Sequence, residues 1–137
     1  MKATVSWVEK ETFLGESESG HQIIMDANGS DSKAPSPMEM VLMSVGGCSS
    51  VDVVSILKKA KQNVRGVKVE LTSVRRDEAP RYFTSINLHF IASGKGIKEK
   101  HLERAVSLSA EKYCSVALML EKGVEITHTH EIVEVED

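Results

Sequence analysis

Residues 36 to about 63 form an apolar segment that predicts one long helix at the centre of the fold. Its start signal is Ser36, Pro37 and Glu39: serine three residues before glutamate forms a capping box, and proline suits the first helical position. Apolar side chains then point in nearly every direction until Lys58. A helix that is apolar all round needs cover all round, which a chain of 137 residues can hardly supply alone. The segment therefore predicts a subunit interface.

Two adjacent glycines, Gly46 and Gly47, stand in the middle of this predicted helix. Each costs roughly 1 kcal/mol relative to alanine inside a helix, so a compensating role is expected. They permit either a close backbone approach or a local kink. Under either interpretation, another part of the protein packs tightly beside Cys48.

The remaining patterns predict a single α+β domain over residues 1–137. Short strands before residue 27 form a meander, and two longer strands after the helix alternate apolar and polar residues around a charged turn at 75–81. An amphipathic helix over 97–108, another from Ala110 to Leu120, and a last strand from Val124 complete the chain. The predicted order is β-β-β-α-β-β-α-α-β.

Composition excludes several classes of protein. The chain has 17 Lys and Arg against 20 Asp and Glu, and a net charge of -3 makes a general nucleic-acid binder improbable. No apolar run approaches the ~18–20 residues of a membrane span, so we expect no membrane partner. The first residues contain no long apolar stretch typical of a secretory signal, which predicts a cytoplasmic protein.

The two cysteines, Cys48 and Cys114, are too few for a disulfide scaffold. In a reducing compartment they are either inert core residues or a redox pair. A redox role needs an accessible thiolate, and it needs the two Cα atoms within ~7 Å of each other. Asp52, one helical turn beyond Cys48, would raise the pKa of that thiol if it faced it.

Two motifs bear a family resemblance. Ser36-Pro37-Met38-Glu39 followed by Gly46-Gly47-Cys48, with Tyr113-Cys114-Ser115-Val116 downstream, resembles the OsmC/Ohr family of thiol proteins and its YhfA-like branch. The resemblance implies an OsmC-like fold and an intertwined homodimer with mixed sheets wrapped around two central helices. It also implies reduction of organic hydroperoxides, with Cys48 as nucleophile, Cys114 as resolving thiol, and an outside dithiol as reductant.

The chain departs from the hydroperoxide-reducing branch in two places. That branch has glutamate directly after the proline of the motif, where this chain has Met38, and the acid follows as Glu39. We expect Glu39 to be a capping residue that can also orient an arginine, and we count it as a catalytic candidate. The branch also uses an arginine from the N-terminal region, but none precedes Arg65. Any arginine serving Cys48 is expected at Arg75, Arg76 or Arg81, in the same chain or across the dimer.

The histidines predict no metal centre. His128 and His130 share one strand face, but no third ligand follows at a recognisable spacing, and His89 and His101 are isolated. We therefore expect neither a metal nor a cofactor. Two alternatives to the peroxidase remain: a dimer that binds a small apolar or thiol ligand in its interface cleft without turnover, and a dimer whose cysteines are only core residues.

Overall fold

A computed structural model describes residues 1–136. They form two compact units, Met1–Val41 and a second that begins at Leu42, which are described separately. The element order confirms the predicted succession of three strands, a helix, two strands, two helices and a strand. The fold is α+β, as expected.

The N-terminal unit contains an antiparallel meander of β1 (Ala3–Glu9), β2 (Thr12–Ser17) and β3 (Gln22–Asp26). Asp26, only 4% exposed, ends the sheet. Its carboxylate accepts hydrogen bonds from the backbone N–H groups of Lys33 and Asn28, each 2.9 Å long. These donors hold the pKa of Asp26 below its ordinary value. The carboxylate thereby fixes the loop that leads into the long helix.

Helix α1 (Pro37–Lys59) begins with the predicted capping box. The backbone N–H of Ser36 donates to Glu39 Oε1 at 2.9 Å, and the backbone N–H of Glu39 donates to Ser36 Oγ at 3.1 Å. Two N–H groups that a helix start leaves without intrahelical partners are thus satisfied by side chains.

The end of α1 corrects the sequence prediction by several residues. The helix stops at Lys59 rather than near Asn63, because Lys61 adopts a left-handed conformation with φ 59°. The N–H of Gln62 then bonds Leu57 O at 3.0 Å, and the N–H of Lys61 bonds Lys58 O at 2.9 Å. This is a Schellman motif, which usually carries glycine at the left-handed position. Lysine there gave no signal in the sequence.

The second unit is built on a mixed sheet of β4 (Asn63–Arg75), β5 (Phe83–Lys95) and β6 (Glu125–Glu134). The central strand β5 pairs antiparallel with β4 and parallel with β6. Its alternation is the predicted one, since Ile86, Leu88 and Phe90 are all buried. Polar pairs such as Asn87 with Thr127 occupy the opposite face.

Helix α2 (Glu99–Leu108), a π-helical turn (Ser109–Tyr113) and α3 (Ser115–Leu120) connect β5 to β6. Helices α1 and α2 run antiparallel. Gln62, just beyond α1, accepts a hydrogen bond from the N–H of Lys98 at the start of α2, while Ser109 at the end of α2 bonds Asp52. Residues of α1, α2 and α3 line a small apolar cavity against β5 and β6, so the helices cover one face of this sheet.

The two glycines of α1 have different surroundings. A Cβ on Gly46 would lie 2.8 Å from Leu71 Cδ1 and 3.1 Å from Val69 Cγ1, so a larger residue there would have to displace these side chains of β4. A Cβ on Gly47 would meet nothing within 4 Å. Helix α1 continues through both positions, and the surroundings of Gly46 favour the interpretation of a close approach.

One side of α1 is exposed and apolar. Met43 is 49% exposed and Val51 is 70% exposed, and the exposed Gly47 lies between them on the same face. An 18-residue window of the helix has a mean hydropathy of 1.8, so length and composition alone would let it cross a membrane. This corrects the expectation that no apolar run approaches that length: glycine and serine interrupt the pattern but scarcely lower its hydropathy. Only 28% of the window is buried within the chain.

Candidate functional site

The thiols of Cys48 and Cys114 are neighbours in the second unit. Both cysteines are free, and Cys48 lies close enough to Cys114 to raise the pKa of its thiol. Cys48 on α1 is half-buried, whereas Cys114 is 0% exposed. The fold thus brings together two of the three predicted site residues, with Cys48 the more accessible thiol.

Cys114 does not lie inside a helix, as the apolar pattern from Ala110 to Leu120 suggested. It stands in extended conformation, with φ -75° and ψ 99°, between the π-helical turn and α3. Its N–H donates to Ser109 O at 2.8 Å, and its Sγ accepts from the N–H of Ala117 at 3.4 Å. The sulfur therefore caps the N-terminus of α3, in the role that serine or aspartate usually fills.

Ser49 supplies a second donor to the same sulfur. Its hydroxyl donates to Cys114 Sγ at 3.1 Å, in a site where Ser49 itself is 3% exposed. Burial raises the pKa of the Cys114 thiol above its ordinary value, and the nearby Cys48 adds to this, while the donors from Ser49 and Ala117 act in the opposite direction. Because the net effect is upward, Cys114 is a protonated thiol near neutral pH.

Ser109 fastens the π-helical turn to α1. Its hydroxyl donates to Asp52 Oδ2 at 3.1 Å and lies 3.4 Å from the carbonyl oxygen of Ser49. Asp52 therefore has a serine partner. Sequence reasoning missed Ser49 and Ser109 as site residues; the only available signal for Ser49 was its place on the face of α1 that carries the buried Val45 and Val53.

The third predicted site residue, Glu39, belongs to the N-terminal unit. Its carboxylate caps α1, and the hydrogen bonds from the backbone N–H and the side chain of Ser36 hold its pKa below the ordinary value. The capping role is confirmed. A catalytic role for Glu39 stays a prediction.

The three arginines expected to serve Cys48 bind carbonyl oxygens of their own hairpin. Arg75 Nε donates to Arg81 O at 2.7 Å, and Arg81 Nε donates to Arg76 O at 2.9 Å. Arg76 donates to Pro80 O at 3.2 Å and stacks over the ring of Tyr82, 4.9 Å from its centroid. A contact between one of these arginines and Cys48 of a second copy across a dimer stays a prediction.

The histidines are tied to neighbouring side chains. His130 Nε2 lies 2.6 Å from Glu99 Oε1, and His89, expected to be isolated, lies between Thr129 and Glu131 at 2.7 and 2.9 Å. Across residues 1–136, no group of three or more His, Cys, Asp or Glu residues is arranged to hold a metal ion.

The family model described as OsmC-like protein matches residues 29–129. The chain belongs to the OsmC family. It is similar to Protein YhfA of Escherichia coli (strain K12), with 67% identity over 133 residues that cover 97% of this chain and 98% of the relative. This OsmC-family member therefore shares nearly its full length with a YhfA protein.

Solved structures of other proteins share the fold. A hypothetical protein from Aquifex aeolicus VF5 superposes with a TM-score of 0.86 at 35% identity, covering 98% of this chain and 97% of that one. The organic hydroperoxide resistance protein OhrB of Bacillus subtilis gives a TM-score of 0.63 at 13% identity, covering 96% and 98% of the two chains. At that identity the second likeness concerns the fold alone.

Proposed function

We propose that this OsmC-family protein is a thiol-dependent peroxidase that reduces organic hydroperoxides. The observation that carries the proposal is the proximity of a half-buried thiol, Cys48, to a fully buried one, Cys114. A peroxide reaches the more accessible sulfur first, and the buried partner is then in position to resolve the product.

The oxidative half-reaction balances with the two thiols alone. The Cys48 thiolate attacks the distal oxygen of the hydroperoxide, the O–O bond breaks, and the alkoxide leaves and takes up a proton as an alcohol. Cys48 is now a sulfenic acid. The sulfur of Cys114 attacks it, a Cys48–Cys114 disulfide forms, and the hydroxyl leaves with a proton as water.

The reductive half-reaction requires an outside dithiol. One thiolate of this dithiol attacks Cys48 Sγ, which is the accessible end of the disulfide, and Cys114 leaves as a thiolate. Ser49 and the N–H of Ala117 donate to the sulfur that then carries the charge. The second thiol of the reductant releases its mixed disulfide with Cys48, and both cysteines return to the reduced state.

The proposed enzyme is a homodimer in the cytoplasm. The exposed apolar side of α1, with Met43 and Val51, is a surface that a second copy would cover. The absence of a side chain on Gly47 would let another backbone approach closely beside Cys48. The organic class of substrate is supported by the apolar composition of α1 and by the fold that this chain shares with an organic hydroperoxide resistance protein of Bacillus subtilis.

The test is the loss of thiols over time after addition of one equivalent of cumene hydroperoxide per chain. Wild type should lose two thiols per chain, many times faster than free cysteine under the same conditions. Cys48→Ser should abolish the fast reaction. Cys114→Ser should still react at Cys48, but it should stop at a sulfenic acid that a dimedone label captures.

Thiols that react no faster than free cysteine would contradict the peroxidase. Unchanged fast loss in Cys48→Ser would reject Cys48 as the nucleophile. The first of these results would favour the non-catalytic dimer that binds a small ligand.

A further inference from the structure

A groove of about 400 Å³ runs between the C-terminal half of α1 and the facing side of α2. Its lining from α1 follows a helical stripe, and α2 contributes a matching stripe. The lining residues are Asp52, Ser55, Ile56 and Lys59 from α1, then Ala60, and His101, Arg104, Leu108 and Tyr113 from α2 and the turn after it. The thiol pair does not line this groove.

The groove has two chemically different ends. Because α1 and α2 are antiparallel, Lys59 lies at the same end as His101, and Asp52 lies at the other end with Tyr113. Arg104 lies about one helical turn beyond His101, towards the middle of the groove. Lys59 follows Asp52 by seven positions along the helix, a distance of roughly 10 Å at 1.5 Å per residue. Ile56 and Leu108 form the apolar part of the wall between the ends.

The charged side chains of the groove differ in whether they have hydrogen-bond partners within the protein. Asp52 accepts a hydrogen bond from Ser109. The side chains of Lys59 and Arg104, in contrast, make no hydrogen bond or ion pair with another side chain anywhere in residues 1–136. Two cations that line one cavity and make no ion pair attract an anion, and a guanidinium offers paired donors to a carboxylate or phosphate.

We propose that this groove binds a small organic anion. Its carboxylate or phosphate group lies between Lys59 and Arg104, and its apolar body, about 10 Å long, lies along Ile56 and Leu108 towards Tyr113. The proposal goes beyond the peroxidase and does not depend on it, because binding requires neither thiol to react.

The experiment is isothermal titration calorimetry of the reduced full-length protein at low salt, with no peroxide present. The probes are 4-phenylbutyrate, 4-phenylbutan-1-ol and 4-phenylbutylamine, which share an apolar body of suitable length and differ in charge. The anion should bind at least about tenfold more tightly than the alcohol, and the amine should bind most weakly. Added salt should weaken the binding of the anion.

Two variants test whether the anion binds in this groove. Lys59→Met with Arg104→Met should weaken binding of the anion at least about tenfold, while the matched control, Lys58→Met with Lys100→Met, should leave it unchanged because neither residue lines the groove. Ser55→Trp fills the groove and should abolish binding. Circular dichroism and the melting temperature check that each variant is folded.

Three results would overturn the proposal. One is equal affinity for the anion and the alcohol. Another is an equal effect of the groove pair and the control pair, which would indicate general surface charge. The third is no binding of 4-phenylbutyrate by the folded wild type at millimolar concentration. Repeating the titration with Cys48→Ser separates this result from the peroxidase, since that variant should bind the anion as wild type does.

Discussion

At the scale of single residues, the two thiols differ in their hydrogen-bond donors as well as in their exposure. Cys114 receives a hydrogen bond from the Ser49 hydroxyl and another from the Ala117 N–H. Burial keeps Cys114 protonated at rest, but the same two donors stabilise its thiolate when a disulfide breaks. Ser49 is therefore expected to act as a positioning residue in the reductive half-reaction.

Replacing Ser49 by alanine should slow the reduction of the Cys48–Cys114 disulfide. A hydrogen bond to a charged group contributes roughly 1.5–3 kcal/mol, and its loss from the leaving thiolate predicts a rate about tenfold or more lower. The disulfide is formed with diamide, so that peroxide reactivity does not enter, and its reduction by dithiothreitol is followed at several pH values.

Two further variants are the controls for this prediction. Ser49→Thr keeps the hydroxyl and should retain most of the wild-type rate. Ser50→Ala removes a hydroxyl from the next residue of α1 and should have no effect. If Ser49→Ala and Ser50→Ala reduce at the same rate, Ser49 does not assist the leaving sulfur.

At the scale of elements, the start of α1 was predictable from the sequence and its end was not. A capping box is local, so the spacing of Ser36 and Glu39 was enough to place it. The Schellman motif at Lys61 depends on a left-handed residue that lysine rarely supplies. Cys114 was misplaced for a related reason: nothing in the residues of the π-helical turn before it shows that the helix is interrupted there.

The capping box also predicts a pH-dependent contribution to stability. Ser36→Ala should lower the free energy of unfolding by about 1 kcal/mol, the usual value for loss of an N-cap. The pKa of Glu39 is lower in the folded chain than its ordinary value of 4.5. Its stabilising contribution is therefore present above about pH 4.5 and is lost as the pH falls through the folded pKa.

Urea unfolding of wild type and Glu39→Ala at neutral and acidic pH measures this contribution. The difference in the free energy of unfolding between wild type and Glu39→Ala should become smaller as the pH falls below 4.5. Glu103→Ala, which removes an exposed glutamate from the middle of α2, is the matched control and should show little difference at either pH. If the difference in the free energy of unfolding between wild type and Glu39→Ala became larger in acid, the stabilising role of the Glu39 carboxylate at the start of α1 would be contradicted.

At the scale of the whole molecule, the pairing of the thiols comes from packing that no local pattern encodes. The order of strands and helices could be derived from periodicity, and the family motifs indicated which two cysteines matter. Their proximity depends on how α1 and the turn at Ser109–Tyr113 pack on the same sheet. Ser49 and Ser109 were missed because ordinary serines become site residues only through that packing.

The exposed apolar side of α1 predicts that the protein forms a homodimer. Light scattering coupled to size exclusion should give the mass of a dimer, twice 15.0 kDa. Val51→Glu would place a charge in the interface, where an unpaired buried charge costs about 3–5 kcal/mol. The dissociation constant of the dimer should therefore rise at least about a hundredfold. Val133→Glu, an exposed valine on β6, should leave the dimer intact. A monomeric wild type would contradict this account of α1.

The most direct measurement of the central claim, that Cys48 and Cys114 work as a pair, is peptide mapping by mass spectrometry without reduction. The protein is treated with one equivalent of cumene hydroperoxide per chain, and remaining thiols are blocked at once. The account predicts a peptide that links Cys48 to Cys114 within one chain, with a loss of 2 Da per chain and no covalent dimer on a non-reducing gel. Cys48 oxidised to sulfinic acid with Cys114 still a free thiol, or a disulfide only between chains, would contradict it.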